Sequence, residues 1–388
     1  MNGSANGSEN GVEERELSIE KLVAGGDGLA FREGKAVFVP GVLPGETVRV
    51  RLVETRRDFD RAALVEVLKP SPGRVAPPCA LAGICGGCDW LHISYKEQVR
   101  QKAAIVREAL RRAGGIEWGE VEVEPGPPLA YRTRVQIHRD SHGTLGFKGL
   151  GSARVVHVAF CPIADPGINR IFSGDVAAPD GLERFSACSV GNRLAREGID
   201  DDIDIRVRVA GKETVFSVGC FFQSNLAVLE RLVPFVLEKL DGTSAADLYC
   251  GVGLFGAFLA ERFSSVTAVE SSTTSAAYAR RNLPEPRCAV YPMTVEQWTA
   301  SGAAGGPFDA VIVDPPRAGL GVEVRQWICR VMPRWLRYVS CNPVTLARDL
   351  RDFVSRGFLL DDLRVFDFYP QTSHIECVAR LRGPRSAQ

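Results

Sequence analysis

The stretch Ala246–Glu270 constrains the fold of this chain more than any other. It reads Ala-Asp-Leu-Tyr-Cys-Gly-Val-Gly-Leu-Phe-Gly, then a helix-like segment, then Val-Thr-Ala-Val-Glu. Asp247 to Tyr249 have the pattern of a short buried strand. Gly251, Gly253 and Gly256 permit a tight turn and a close approach of ligand to backbone. Phe255 to Arg262 reads as a helix, and Val266 to Val269 as a second strand with Glu270 at its tip. This order opens a nucleotide-type α/β sheet, in which an acid at that tip accepts hydrogen bonds from a ribose diol. Spacing alone leaves open a nicotinamide dinucleotide or S-adenosylmethionine, and with the former a NAD-dependent oxidoreductase.

The C-terminal half repeats the alternation. Strand patterns at 289–291, 309–313, 336–339, 363–368 and 375–381 are interleaved with helical ones at 273–281, 294–298, 322–331 and 344–355. With an opening helix over 225–239, this predicts a doubly wound, mostly parallel sheet. The last two strands are joined by a short turn with no crossover helix, which predicts an antiparallel final pair at the sheet edge.

Upstream the pattern changes. Residues 1–14 are small, polar and acidic and read as a disordered tail. Residues 15–70 hold about five short strands with glycine turns, the pattern of a small OB-like β-barrel. Arg49, Arg51, Arg56, Arg57 and Arg61 lie on or beside those strands, as a phosphate-tracking face or, with Glu54, Asp58 and Asp60 among them, as a solvated surface. Residues 75–220 read as a central domain with an antiparallel sheet. It contains a basic amphipathic helix over 95–113, alternation over 131–160, a helix over 181–198 and strands over 203–219. The α/β domain then spans 221–388.

The chain has 47 basic and 47 acidic residues, which excludes a wholly basic coat but leaves room for a local basic face. It has no apolar run of about 18 residues and no basic start followed by an apolar block. It therefore reads as a cytoplasmic protein without membrane contact, and as a monomer, since no apolar interface stripe stands out. Its eleven cysteines are an odd number, a poor disulfide framework.

Three of them, Cys79, Cys85 and Cys88, fall within ten residues, with Cys161-Pro162 further on. Four thiolates fit structural zinc or an iron–sulfur cluster. The proline after Cys161, and a Gly86-Gly87 bridge that leaves amides free toward the sulfurs, favour the cluster. Asp314-Pro315-Pro316-Arg317 ends one strand, where two prolines stiffen the loop and fix a carboxylate at the ligand-binding edge. Ser340-Cys341-Asn342-Pro343 ends the next, so Cys341 shares that edge. A following helix N-terminus lowers a thiol pKa, making Cys341 a nucleophile candidate. Glu376 follows the loop between the last two strands and is a candidate general base.

Taken with Phe221-Phe222-Gln223-x-Asn225 and His374-Ile-Glu376, these motifs resemble the iron–sulfur-containing RNA uracil-C5 methyltransferases, in the branch acting on 23S ribosomal RNA. The resemblance spans nearly the whole chain. It implies a class I methyltransferase (Rossmann-like) domain behind an N-terminal TRAM barrel, with S-adenosylmethionine and a 4Fe–4S cluster as cofactors and RNA as partner. It implies that Cys341 adds to uridine C6 and that Glu376 removes the C5 proton. Gln223, Tyr249, Glu270 and Asp314 match cofactor positions, Cys79, Cys85, Cys88 and Cys161 match cluster ligands, and Phe221 and Phe222 would stack on a flipped base. Leu254 departs from the family, where a polar residue is common beside the cofactor. The compact central region leaves uridine 54 of transfer RNA as an alternative target, and an RNA-binding assembly factor as a non-enzymatic one.

Overall fold

The computed structural model describes residues 14–384. The expected tail lies outside them, except for Glu14, which opens the first strand. Strands β1 (Glu14–Ser18), β2 (Lys21–Leu22), β3 (Gly28–Arg32), β4 (Lys35–Val39), β5 (Thr47–Thr55) and β6 (Phe59–Lys69) form one sheet in the order β1-β5-β6-β4-β3-β2. There are six strands where about five were expected, because the two residues of β2 are too short to leave a pattern. Period-two alternation buries Val48 and Val50 in the barrel core and turns Arg49 and Arg51 outward. Arg49 pairs with Glu66 at 2.7 Å and Arg61 with Asp27 at 3.1 Å, whereas Arg51 and Arg57 are exposed.

Helix α1 (Tyr95–Ala109) continues through a wider turn at Leu110–Gly114, and β7 (Glu122–Glu124) follows. The central sheet, β10-β9-β8-β11-β12, is antiparallel: β8 (Arg134–Arg139), β9 (Leu145–Lys148), β10 (Val155–His157), then α2 (Pro166–Phe172), β11 (Arg184–Val190) and β12 (Arg193–Arg196). The helix expected over 181–198 is therefore a β-hairpin. Phe185 and Ala187 alternate inward, and Gly191, at φ 57°, opens its two-residue turn. A second hairpin, β13 (Ile205–Val209) and β14 (Lys212–Phe216), leads into the last domain.

There the chain runs α3 (Leu226–Leu237), β15 (Ser244–Leu248), α4 (Leu254–Leu259), β16 (Ser265–Val269), α5 (Thr273–Asn282), β17 (Cys288–Tyr291) and α6 (Val295–Ala300). It continues β18 (Ala310–Val313), α7 (Val322–Val331), β19 (Trp335–Ser340), α8 (Pro343–Ser355), β20 (Leu359–Phe366) and β21 (Glu376–Arg382). The sheet order is β17-β16-β15-β18-β19-β21-β20-β7, with β21 antiparallel to both neighbours. The reversed strand was expected, but not its place. β7, from the central stretch of sequence, pairs parallel with β20, so the final pair is not the edge. The link between β20 and β21 is a loop over residues 367–375, not a short turn. Helix α1 also joins this domain, burying Ile105 and Val106 in the same core as Leu350 and Leu363. Its expected basic face is largely spent: Arg100 pairs with Glu97, Arg111 and Arg112 with Glu108, and Lys102 is buried.

Candidate active site

The glycine loop is built by backbone geometry. β15 stops at Leu248, one residue before the expected end, because Tyr249 turns at φ 61°. Gly251 and Gly253 follow at φ 55° and 83°. Gly253 stands in the left-handed region, and a Cβ there would lie 2.2 Å from Leu283 Cδ1, so any other residue strains the backbone and displaces that side chain. Glu270 holds the loop in register, accepting from Gly251 N–H at 2.9 Å and Ser272 N–H at 2.7 Å. The Tyr249 hydroxyl donates to Glu296 at 2.9 Å. Asp247 accepts from Gly256 N–H at 2.7 Å through one oxygen, while the other is buried without a partner. Burial chiefly, with Asp314 and Glu270 adding to it, pushes the Asp247 carboxyl up to about 7.

This loop forms one wall of a cleft of about 970 Å³ at the C-terminal ends of the parallel strands. Phe221, Phe222, Gln223, Tyr249, Glu270, Asp314, Cys341 and Glu376 all line it. Asp314 follows β18 and Cys341 follows β19. Asn342 caps α8 by accepting Val344 N–H at 3.0 Å and donates to Arg317 O at 3.0 Å, which ties the two catalytic-edge loops together. Glu376 opens β21 and is only 3% exposed. Burial raises its carboxyl well above the usual range, with Asp314 adding to the effect, and burial also raises Asp314. The Gln223 side-chain oxygen is buried in the cleft without a partner. Unpaired acceptors beside a glycine loop fit a ligand carrying amino and hydroxyl donors, as S-adenosylmethionine does.

Two expectations need correction. The Cys341 thiol is not lowered: burial, Glu376 and Asp314 push it up to about 11, outweighing Arg317 and the helix start. Phe222 is no free stacking surface: it is 5% exposed, and its ring lies on Phe216 with centroids 4.3 Å apart. Phe221, at 63% exposure, is the ring presented to the cleft.

Tyr369 and His374, from the loop 367–375, and Arg132 also line the cleft and were not singled out in the sequence. Their signal was faint: Tyr369 and His374 sit inside the last motif, and Arg132 merely alternates in a strand-like run. Asn225, quoted only as part of a motif, caps α3 and donates to Phe368 O at 3.2 Å.

The four cysteines line a separate cavity of about 220 Å³, and Arg132 borders both cavities. Gly87 N–H donates to the Cys85 sulfur at 3.4 Å, Ile163 N–H faces the Cys161 sulfur, and Ala164 N–H faces it too while donating to Cys161 O at 3.2 Å. Gly86 N–H, expected free, is taken by Lys148 O at 2.9 Å. Among the described residues, no group of three or more His, Cys, Asp or Glu side chains is arranged to hold a single metal ion.

A parallel sheet with one reversed strand, a glycine loop and an acid at the second strand tip defines an S-adenosylmethionine-dependent methyltransferase domain. The sequence matches the family described as tRNA (Uracil-5-)-methyltransferase over residues 189–293 and 306–382, and the TRAM domain over 10–65. An RNA methyltransferase of Treponema denticola is 30% identical, over 94% of this chain and 98% of its own. The 23S rRNA (uracil(1939)-C(5))-methyltransferase of Pectobacterium atrosepticum is also 30% identical, over 96% and 95%. Among solved structures, the Pyrococcus abyssi tRNA (uracil-54, C5)-methyltransferase in complex with S-adenosyl-L-homocysteine matches with a TM-score of 0.72. At 24% identity, over 94% of this chain and 99% of that one, it attests the fold. This chain belongs to the RNA uracil-C5 methyltransferases. Among its described residues no helix is long and apolar enough to cross a membrane.

Proposed function

We propose that the chain methylates C5 of a uridine in large-subunit ribosomal RNA through a covalent Cys341 adduct. One observation carries the reading: the thiol of Cys341, the carboxyl of Glu376 and the glycine loop face a single cleft. Uracil C5 is a poor nucleophile until C6 accepts an electron pair. Cys341, as thiolate, adds to C6, and the C5=C6 electrons move toward the C4 carbonyl as an enolate. S-adenosylmethionine, when bound, supplies an electrophilic methyl group to C5 and leaves as a neutral thioether. Glu376 then takes the C5 proton. The C5–H electrons restore C5=C6 as the C6–S bond breaks and Cys341 departs as thiolate. Burial that raises the Glu376 pKa makes it the stronger base for that step once the carboxyl is ionised. Gln223, Tyr249, Glu270 and Asp314 hold the cofactor, and Phe221 stacks on the extruded base.

Cys79, Cys85, Cys88 and Cys161 are read as ligands of a 4Fe–4S cluster. Their shared cavity and the N–H groups aimed at two of the sulfurs support a thiolate-bound cluster over a single zinc ion. The protein is read as a cytoplasmic monomer. All the residues needed come from one chain, and its eleven cysteines are free.

The ribosomal target is favoured by relatives whose names give 23S rRNA, at 30–32% identity against 24% for the transfer-RNA enzyme. The experiment is a map of 5-methyluridine in ribosomal and transfer RNA from cells with and without the gene. Loss of one mark in large-subunit RNA is the expected result. Loss at the transfer-RNA T-loop moves the substrate and keeps the chemistry. No loss at any uridine, in a strain without a second such enzyme, leaves the assembly-factor reading. Iron and acid-labile sulfide in anaerobically purified protein, rather than zinc, are the expected metal content.

A further inference from the structure

The loop 367–375 leads directly into Glu376 and sends Tyr369 and His374 to the cleft wall. It is gripped from outside the strands it connects. Lys102 Nζ lies 2.7 Å from Asp367 Oδ1, both side chains are fully buried, and the same ammonium donates to Tyr369 O at 3.0 Å. The Tyr95 hydroxyl donates to the second Asp367 oxygen at 3.0 Å, and the Tyr131 hydroxyl to Pro370 O at 2.9 Å. Gln371 stands at φ 69°, an unfavourable conformation for a residue with a Cβ. It is held there on three sides. Its N–H donates to Gln98 Oε1 at 2.8 Å, its side-chain oxygen accepts from Gln98 Nε2 at 2.9 Å, and its carbonyl accepts from Trp90 N–H at 3.0 Å.

The last grip comes from the cysteine site. Cys88 is followed at once by Asp89 and Trp90. Asp89 Oδ1 accepts Ser373 N–H at 2.8 Å, two residues beyond the Trp90–Gln371 bond. The barrel closes the junction. Trp90 Nε1 donates to Gly26 O at 3.3 Å, and a Cβ on Gly26 would fall 2.7 Å from both Asp89 Oδ2 and Ser373 Cβ. A buried ion pair such as Lys102–Asp367 adds little net stability over an apolar substitute, because desolvation offsets its attraction. What it does supply is a fixed position.

We propose that the four-cysteine site, through the Cys88-Asp89-Trp90 arm, together with the Lys102–Asp367 pair, sets the register of the loop that presents Glu376 to the substrate. Asp89, Gln98 and Lys102 are positioning residues for proton removal. The inference rests on reading Cys341 as nucleophile and Glu376 as base. If Glu376 is out of register, adduct formation and methyl transfer proceed, but the C5 proton stays on and the Cys341–C6 bond does not break. The signature is a methylated protein–RNA adduct that survives denaturation.

The test uses full-length protein, S-adenosylmethionine labelled in the methyl group, and large-subunit RNA from cells lacking the gene. Asp89 is exposed, so Asp89→Ala keeps the fold. It is expected to bind S-adenosylmethionine within threefold of the parent, slow turnover at least tenfold and accumulate labelled adduct. Asp89→Asn keeps an oxygen acceptor for Ser373 N–H and is expected to restore turnover. Cys88→Ser is expected to show the Asp89→Ala signature. Without RNA, amide hydrogen exchange at residues 371–374 is expected to rise in Asp89→Ala and after iron chelation. Adduct in Glu376→Gln, but neither adduct nor faster exchange in Asp89→Ala, overturns the positioning role alone. No adduct in Glu376→Gln itself overturns the base assignment and the positioning role with it.

Discussion

The surroundings of Cys341 favour the thiol over the thiolate. A helix N-terminus contributes only a partial positive charge, about half a unit. Against it stand burial and two carboxylates, which push the thiol up to about 11. A bound cationic cofactor offsets those carboxylates, so ionisation is linked to assembly of the complex. The sign is testable without RNA. Alkylation of Cys341 by iodoacetamide, followed by peptide mass spectrometry, is expected to reach half its limiting rate well above the usual thiol value of about 8.5. Glu376→Gln removes a like charge, so its midpoint moves to lower pH; an unchanged midpoint counts against the pairing. The two adjacent phenylalanines separate by a second experiment. Phe222 is buried against Phe216, so Phe222→Ala is expected to cost about 3–5 kcal/mol in denaturant unfolding. Phe221→Ala leaves stability alone and weakens productive RNA binding by about 1–3 kcal/mol, the usual worth of a stacked base. The sequence named both rings, but it could not tell the buried one from the free one: neighbours on one strand-like run face opposite ways, and only the fold says which way is in.

At the scale of elements, the methyltransferase half was largely legible. Buried parallel strands are continuous apolar runs, and helices between them carry their own period. Helix α7 starts and stops where its pattern does, at Val322 and Val331. The hairpin β11–β12 leaves little strand signal because its strands carry Arg, Ser, Ala and Cys, with Val190 their one β-branched residue. The glycine loop shows how little chain a cofactor element needs. Gly253→Ala brings a Cβ into a left-handed backbone and against Leu283. It is expected to weaken S-adenosylhomocysteine binding at least tenfold by calorimetry. Gly253→Ala with Leu283→Ala relieves the contact and is expected to regain part of that loss; no recovery assigns the whole effect to backbone strain. The loop 367–375 looks like a turn in sequence because its partners are distant. Gln98 and Gln371 are far apart in sequence, and no local pattern marks a bond between them.

At the scale of the whole molecule, the motifs located the cleft, but the way the parts lock together was hidden. Helix α1 packs on the last domain and β7 pairs into its sheet although both precede the central sheet, and the cysteine arm, the barrel turn and the loop 367–375 meet at Gly26, Asp89 and Ser373. Close approach of three segments rests on small residues and backbone bonds, which leave no periodicity to read. The same view decides how a chain of zero net charge holds a polyanion. Arg100 of α1, Arg111 and Arg112 in the turn after it and several arginines in the barrel are already paired within the protein, so they are poor phosphate contacts; Arg51 and Arg57 remain exposed. Each phosphate neutralised contributes about 0.7–0.9 to the slope of log affinity against log salt. Arg51→Glu with Arg57→Glu is therefore expected to reduce that slope by about 1.4–1.8 for large-subunit RNA between 50 and 200 mM KCl, if each side chain meets one phosphate. Binding at the low end should fall tenfold or more, with KM for RNA raised, kcat nearly kept and S-adenosylhomocysteine affinity unchanged. An unchanged slope would make the barrel a scaffold for Gly26 at the junction, and would put the phosphate contacts on the central sheet and the cleft rim.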